Sequence, residues 1–586
     1  MEKRVLLATA LAFAVIFIWY SMFPAQPRPA AAPAGGAPAE TAAQSAAAPA
    51  GSVVPAAPAA TRTAAPAPTG APAAPAQAAA GEERVTLETD LAVIVLTNRG
   101  ARAQSWTLKN FTVNGGTPLD LVSPAAGKGT PDLRPLDLVT GQKDLDEALT
   151  SALFVAERSS DGTGESVSFR WSDGAGTAAE KTLACTRDDY ACTVTASVMR
   201  SGRPVPVYLV WGPGIGPTVK PGGGGGLDHV GFGVVGLADS SEIHDPARLT
   251  EAQSFAAGTT TWAAVDERYF TAFMRPAAAA DTMPETRLVP VSVLPEPGGE
   301  VVPHLALAVA ADKPLLLWAG PKEWDRLKAM PGGLYRLVNL GRPVFLPLIG
   351  PLLEPVIELL ARGFYFALRW LHEHGINWGI AIILVTFGIR LVFFPIMQRT
   401  MVKMRQTQQR MQAVQPKANA IKARYAKIKG ADARTKMNQE IMELYQKEGI
   451  NPFSSLSGCL PLLLQLPILA AFYNVLTASI ELRHAPFFGW ITDLSAKDPY
   501  YITPLLMGAT MFLQQKMAMT KTTDPQMRTQ QRMMLIMPVM FTVFFMNLPS
   551  GLTLYWFVSN LLQIGQQVLI NRQADRVLAA GQTRTA

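Results

Sequence analysis

The sequence predicts a multi-domain membrane protein: an N-terminal transmembrane anchor helix, a large all-β, sandwich-like extracytoplasmic domain, and a C-terminal core of five transmembrane α-helices. The chain has 586 residues, of which 49% are hydrophobic, a share too high for an ordinary soluble enzyme. The apolar residues gather in a run from Val5 to Phe23 and in a crowded block from Phe345 onward. Between the two lie short alternating runs broken by Gly and Pro, the pattern of antiparallel strands.

Residues 1–24 form the anchor. The run from Val5 is long for a signal-peptide core and matches the ~20 residues of a span. Lys3 and Arg4 hold the N-terminus in the cytoplasm, as expected of an uncleaved signal anchor. Residues 25–81 are almost entirely Ala, Pro, Gly, Thr and Ser, a composition that buries no core and serves as an extended tether.

Residues 82–345 form the β domain. The stretches Val85–Thr97 and Glu165–Trp171 alternate with period two, and helical periodicity is scarce. No nucleophile elbow, HExxH pair or phosphate loop occurs, and no metal or cofactor motif, so this is a binding or scaffolding module and the chain is not an enzyme. Cys185 and Cys192 sit in a strand–turn–strand pattern that admits either a cross-hairpin disulfide or two buried thiols. Gly222 to Gly226 form a loop, and Cys459 is a small residue of the membrane core.

Residues 346–375 are apolar enough to span. However, Glu354, Glu358, Arg362 and Arg369 fall on one helical face over ~22 Å of axis. That stripe suits an amphipathic helix lying in the interface, with Glu358 and Arg362 paired at i,i+4. The five-helix core, 376–571, comprises Trp378–Ile396, about Leu456–Leu476, Ile502–Gln514 and Leu535–Ile570, the last split in two by the turn signal Asn547-Leu-Pro-Ser-Gly. Residues about 399–450 form a cytoplasmic helical hairpin with twelve Lys or Arg against four acids, and 572–586 are a short basic tail. Basic and non-basic loops alternate so that both termini lie in the cytoplasm and the β domain outside, provided 346–375 does not span. The net charge of +7 is concentrated in these loops, which points to anionic lipid rather than nucleic acid.

Arg390 lies within the first core span, ~9 Å of helix from its cytoplasmic end. Taken alone it reads equally as a snorkelling side chain or as a groove residue. The last span carries Tyr555, Ser559, Gln563 and Gln566 along one face, Gln465 sits mid-span in the second helix, and Thr386 is one turn from Arg390. Together they predict a polar groove. No Asp or Glu lies in the five spans, so Arg390 has no internal counter-ion and a proton relay of acidic groups is absent. In the hairpin, Met401, Met404 and Met411 with Arg405 offer a soft, basic face for promiscuous binding, or else ordinary hairpin packing.

The stretches Asn377 to Arg390 (NWGIAIILVTFGIR), Asn451-Pro-Phe, Gly458 to Pro467 (GCLPLLLQLP), Ala485 to Tyr501 (APFFGWITDLSAKDPYY) and Pro549 to Trp556 (PSGLTLYW) resemble the YidC membrane insertases. The preceding domain is similar in plan to the large periplasmic domain of Gram-negative members. The resemblance implies a bacterial inner-membrane insertase and chaperone that acts on nascent membrane-protein clients, alone or with the Sec translocon. It implies a groove open to cytoplasm and lipid, in which the family arginine and threonine match Arg390 and Thr386. The family's Tyr-Tyr pair is here Tyr555-Trp556, which keeps aromatic contact with a client but loses a hydroxyl. The short tail gives only a weak signal for ribosome docking. The alternative reading is a small-solute channel or transporter with an anion-attracting arginine. Pro395, Pro461, Pro467, Pro504, Pro538 and Pro549 are expected to keep the core helices kinked or short.

Overall fold

A computed structural model describes residues 75–582 apart from 114–115, 218–230, 295–300, 341–349, 426–430, 449–459, 520–530 and 533. The expected N-terminal anchor, most of the tether, the 222–226 loop, Cys459 and the last four residues of the tail lie outside the described residues.

The β domain is antiparallel throughout. A ten-stranded sheet runs from Ser241–His244 at one edge to Val155–Ser160 at the other, beside a six-stranded and a four-stranded sheet. Toward the outer edge, Thr177–Thr186 alternates buried and exposed side chains, the mark of a sheet with one wet face. In the centre alternation fails: all seven residues of Phe270–Pro276 are buried. The ten- and six-stranded sheets approach closely at Gly233, where a Cβ would stand 2.8 Å from Leu288 Cδ1. Trp106 meets Trp211 edge to face at 5.4 Å, tying the four-stranded sheet to the six-stranded one.

Three local outcomes refine the sequence reading. The alternating run from Val85 folds as a hairpin, Arg84–Glu88 with Ala92–Thr97, turned by the Thr89 hydroxyl, which accepts from Ala92 N at 2.9 Å. Cys185 and Cys192 face each other across paired strands and form a disulfide. The end of the Ala/Pro stretch lies on the domain, with Gln77 and Ser172 exchanging backbone hydrogen bonds of 2.9 Å.

Helices α1 (Lys143–Ser151) and α2 (Trp324–Ala329) belong to the β domain. The C-terminal region contains α3 (Gly350–Glu373), α4 (Trp378–Tyr425), α5 (Ala431–Lys447), α6 (Leu460–Ala478), α7 (Ile502–Ala518), α8 (Met537–Phe545) and α9 (Ser550–Gln582). The first apolar stretch and the first arm of the hairpin, expected as separate helices, are one continuous helix of 48 residues that carries Pro395 and Pro416 inside it. Val414, Ala418 and Ile421 bury one face of its extension, which is tied by ion pairs to Glu440 of α5 (Arg424, 2.8 Å) and to Glu448 just beyond that helix (Lys417, 2.7 Å). Of the six prolines expected to kink or shorten helices, only Pro395 and Pro467 sit well inside one. Pro461, Pro504 and Pro538 occupy first turns and Pro549 precedes α9, positions where a missing N–H costs nothing.

The turn at Asn547 to Pro549 separates α8 from α9 as expected, and it is pinned to the preceding loop. Ser550 N donates to Ala496 O at 2.7 Å and Gly551 N to Leu494 O at 2.9 Å. That loop is organised by Asp498, which accepts from Thr503 N at 2.7 Å, Tyr500 N at 2.9 Å and Trp490 Nε1 at 3.2 Å. Burial pushes this carboxyl up, but these donors prevail and hold it below the usual carboxylate range.

The β domain is seated on the helical region. Glu358 and Arg362 of α3 pair at 2.5 Å as expected, yet the stripe does not simply face headgroups. Arg362 lies over the rings of Trp324 and Tyr335 at 5.7 and 5.5 Å, and Arg369 pairs with Asp325 and Glu373. Leu359, Phe366 and Trp370 remain exposed on another face of α3. Tyr365 donates to Glu481 at 2.8 Å, Arg268 Nε to Thr477 O at 3.0 Å, and Arg483 to Thr112 O at 2.7 Å.

Beside this joint the Glu267 carboxyl is pushed up to about 8, chiefly by burial and further by Asp266, against the pull of Lys322, Arg483 and Arg268. The folded protein therefore keeps a proton on Glu267 that the unfolded chain releases near its ordinary value of 4.5. Stability from this group is full at low pH and is lost as pH rises toward about 8. Glu267→Gln should flatten that decline and raise Tm above the parent's at high pH. Thermal unfolding of the purified full chain in detergent across this range checks it; a parallel pair of curves would refute it.

Candidate functional site

Three helices converge on Arg390. On α4, Thr386, Ile389, Arg390, Phe393 and Met397 recur at helical spacing and present one face. Gln465 and Ile468 come from α6, and Tyr555 and Ser559 from α9. These side chains line a small recess that opens to the surface of the bundle. Close packing just outside it depends on Gly551, where a Cβ would lie 3.1 Å from Leu494 O and 3.4 Å from Ile382 Cδ1.

The hydrogen bonds in the recess form a chain. Arg390 Nη2 donates to Gln465 Oε1 at 3.3 Å, and Gln465 Nε2 donates to the Tyr555 hydroxyl at 2.7 Å. Tyr555 is fully buried and stacks on Phe472 with ring centroids 4.3 Å apart, which fixes its hydroxyl. With the Gln563 amide turned, its oxygen accepts from Arg390 Nη1 at 2.8 Å and Nη2 at 2.5 Å, and its nitrogen meets the Gln514 amide, to which it donates when that amide too turns its oxygen toward it. The guanidinium thus meets two neutral amide oxygens. A guanidinium so held keeps its full charge available to an anionic group.

Of the residues singled out in the sequence, Thr386, Arg390, Gln465, Tyr555, Ser559 and Gln563 are brought together. The Thr386 hydroxyl donates back to Ile382 O at 2.6 Å, so it lines the recess without an outward bond. Trp556 is placed elsewhere: it packs against Phe545 at 5.2 Å and Phe541 at 6.2 Å, on the seam with α8. The side chains of Met401, Met404, Arg405 and Met411 lie outside the described residues, although their backbone is helical. Sequence reasoning missed Gln514, whose amide near the end of α7 was a usable polar signal. It also missed Ile389, Phe393, Met397 and Ile468, which no apolar pattern separates from lipid-facing neighbours.

An uncommon partnership therefore defines the site: a β domain seated on an apolar helical region, with a cation held by amides inside it. The family model described as the 60Kd inner membrane protein matches residues 370–577, and that of the YidC periplasmic domain matches 84–352, which marks the class as an inner-membrane protein with a periplasmic domain. A membrane protein insertase YidC from Citrifermentans bemidjiense is 32% identical over 98% of this chain and 99% of its own length. One from Vibrio atlanticus is 42% identical over 54% of this chain and 53% of its own. A crystal structure of an active YidC insertase with its first transmembrane domain resolved is 18% identical, covering 84% of this chain and 93% of that one, with a TM-score of 0.32. The chain belongs to the YidC family of membrane protein insertases, which are not enzymes.

Tyr555→Phe should keep the stack on Phe472 but leave the Gln465 amide without its acceptor. A loss of about 1–2 kcal/mol in stability is expected, measured by thermal unfolding in detergent, and an unchanged or raised stability would contradict the hydrogen-bond chain.

Proposed function

We propose that this chain inserts nascent integral membrane proteins into the bacterial inner membrane, alone or with the Sec translocon, by drawing their polar segments into a cytoplasm-open groove at Arg390. The observation that carries the reading is a cation inside an apolar helical bundle whose partners on Gln465 and Gln563 are neutral. A charge in lipid costs from ~2.5 to above 10 kcal/mol, so the site is expected to hold water or an anionic group. An acidic client segment supplies that group and shortens its own path across the bilayer. The client's apolar helix then leaves along α4 and α7 into lipid, driven by the hydrophobic effect.

In this reading the five apolar helices α4, α6, α7, α8 and α9 are the transmembrane core, with a sixth span at residues 1–24. Both termini are cytoplasmic and the β domain is periplasmic. Exposed Ile380, Leu384, Phe387, Leu391 and Val392 on α4 and Leu505, Phe512 and Leu513 on α7 suit a lipid boundary. The basic hairpin, with Met401, Met404, Arg405 and Met411, receives clients and meets anionic headgroups. Trp556 borders the client path at the α8–α9 seam. The solute-channel alternative gains no supporting observation among the described residues.

Arg390→Ala should lower insertion of a reporter with an acidic translocated tail by about tenfold, equivalent to ~1.4 kcal/mol, and that of a neutral-tailed reporter much less. Arg390→Lys should restore much of the loss if charge attraction dominates. Reconstituted vesicles with protease-protected fragments as the readout decide this. Equal loss for both tails would refute charge attraction, and solute flux without insertion would refute the insertase reading. Photocrosslinkers at 386 and 465 should capture the client, while one at 556 tests whether the seam with α8 opens to it.

A further inference from the structure

Gln514 lies on α7 and does not line the recess, yet its amide meets that of Gln563 end to end. That contact ties down the end of Gln563 that faces away from the cation. A glutamine amide has nearly the same shape in either orientation, and only its oxygen can accept from a guanidinium, which offers donors alone. Turning the oxygen to Arg390 turns the NH₂ toward α7, where it needs an acceptor. The Gln514 amide, in contact with that NH₂, supplies one once its own oxygen faces Gln563. On the other flank Gln465 is oriented in the same manner, with its oxygen on Arg390 and its nitrogen on the Tyr555 hydroxyl. The cation is thus fixed from both sides by amides whose far ends are themselves tied down.

Such a hold orients the guanidinium without neutralising it. A carboxylate at 563 or 514 would instead occupy Arg390 with a charge-assisted bond, roughly twice as strong as a neutral one. An incoming client carboxylate enjoys the same advantage over Gln563 and can take its place, after which the amide returns. We infer that Gln514, acting through Gln563, is a positioning residue that keeps Arg390 aimed into the recess and exchangeable, and so sets the preference for acidic client segments. The inference rests on the insertion reading above.

The test uses the full chain reconstituted in vesicles and two reporters that differ only in a short translocated tail, two Asp against two Asn. The readout is the ratio of acidic-tail to neutral-tail insertion. Gln514→Met, which keeps the shape and removes the amide, should lower that ratio about fivefold. Gln563→Glu, which sets a carboxylate on Arg390 directly, should lower it about tenfold. In an Arg390→Ala background neither change should move the ratio further, because both act through the guanidinium. An unchanged ratio in Gln514→Met, or a shift that persists without Arg390, overturns the positioning role. If Gln514→Met does not accumulate in the membrane, Gln514→Leu with its Arg390→Ala double variant decides in its place. Should Arg390→Ala itself leave the ratio unchanged, the charge-attraction part of the insertion reading falls and this inference with it. A ratio that responds to Arg390→Ala but to neither glutamine overturns the positioning role alone.

Discussion

A half-buried cation needs acceptors, and in a helix bundle made of Leu, Ile, Val and Phe they have to come from few residues. Around Arg390 they are amides on α6 and α9, braced by a hydroxyl on α9 and an amide on α7. Each is useful only at one rotation of its helix. For α9 that rotation is set at its first turn, where Ser550 and Gly551 are hydrogen-bonded to the loop carbonyls of Ala496 and Leu494. From there Tyr555, Ser559 and Gln563 follow at steps of four and share a face. The loop that fixes the start is in turn held by Asp498, so an acidic group outside the bundle positions the polar groups within it.

The β domain takes part in the same arrangement. Helix α6 carries Gln465 near its start, and Thr477 at its end has a carbonyl without an intrahelical partner. Arg268 of the β domain donates to that carbonyl at 3.0 Å, and a cation at a helix C-terminus is favoured electrostatically as well. Arg483, just beyond, returns the contact by donating to Thr112 O of the domain and lying over Phe270 at 5.3 Å. These reciprocal contacts, with the α3 stripe turned onto Trp324 and Tyr335, make the domain a seat for the helices and more than a tethered appendage.

The fold class was legible because its signals are local: period two in the β domain, long apolar runs in the core, and a Pro-Ser-Gly turn between the last two helices. Arg390, Thr386, Gln465, Tyr555, Ser559 and Gln563 were legible because polar residues in apolar runs are conspicuous. What stayed hidden depends on long-range partners. The continuity of α4 through Pro395 was not readable from the loss of apolar character after Ile396, since a helix leaving a membrane changes composition without ending. The charged stripe on α3 was visible, but its partners Trp324, Asp325 and Tyr335 lie in another domain. Gln514 needed Gln563, 49 residues away in sequence, before its amide meant anything.

Trp556 shows how placement settles what a motif leaves open. Where the resemblance expects two tyrosines, this chain has Tyr555 and Trp556, and the missing hydroxyl could have weakened the recess. Consecutive residues on a helix point about 100° apart, so both cannot face Arg390. Tyr555 is the one that does, and its hydroxyl is the one that holds Gln465. Trp556 turns to Phe541 and Phe545, where a larger ring adds apolar contact and no hydroxyl partner is called for. The departure from the family pattern therefore falls on the packing between α8 and α9, and the polar chain around the cation is intact.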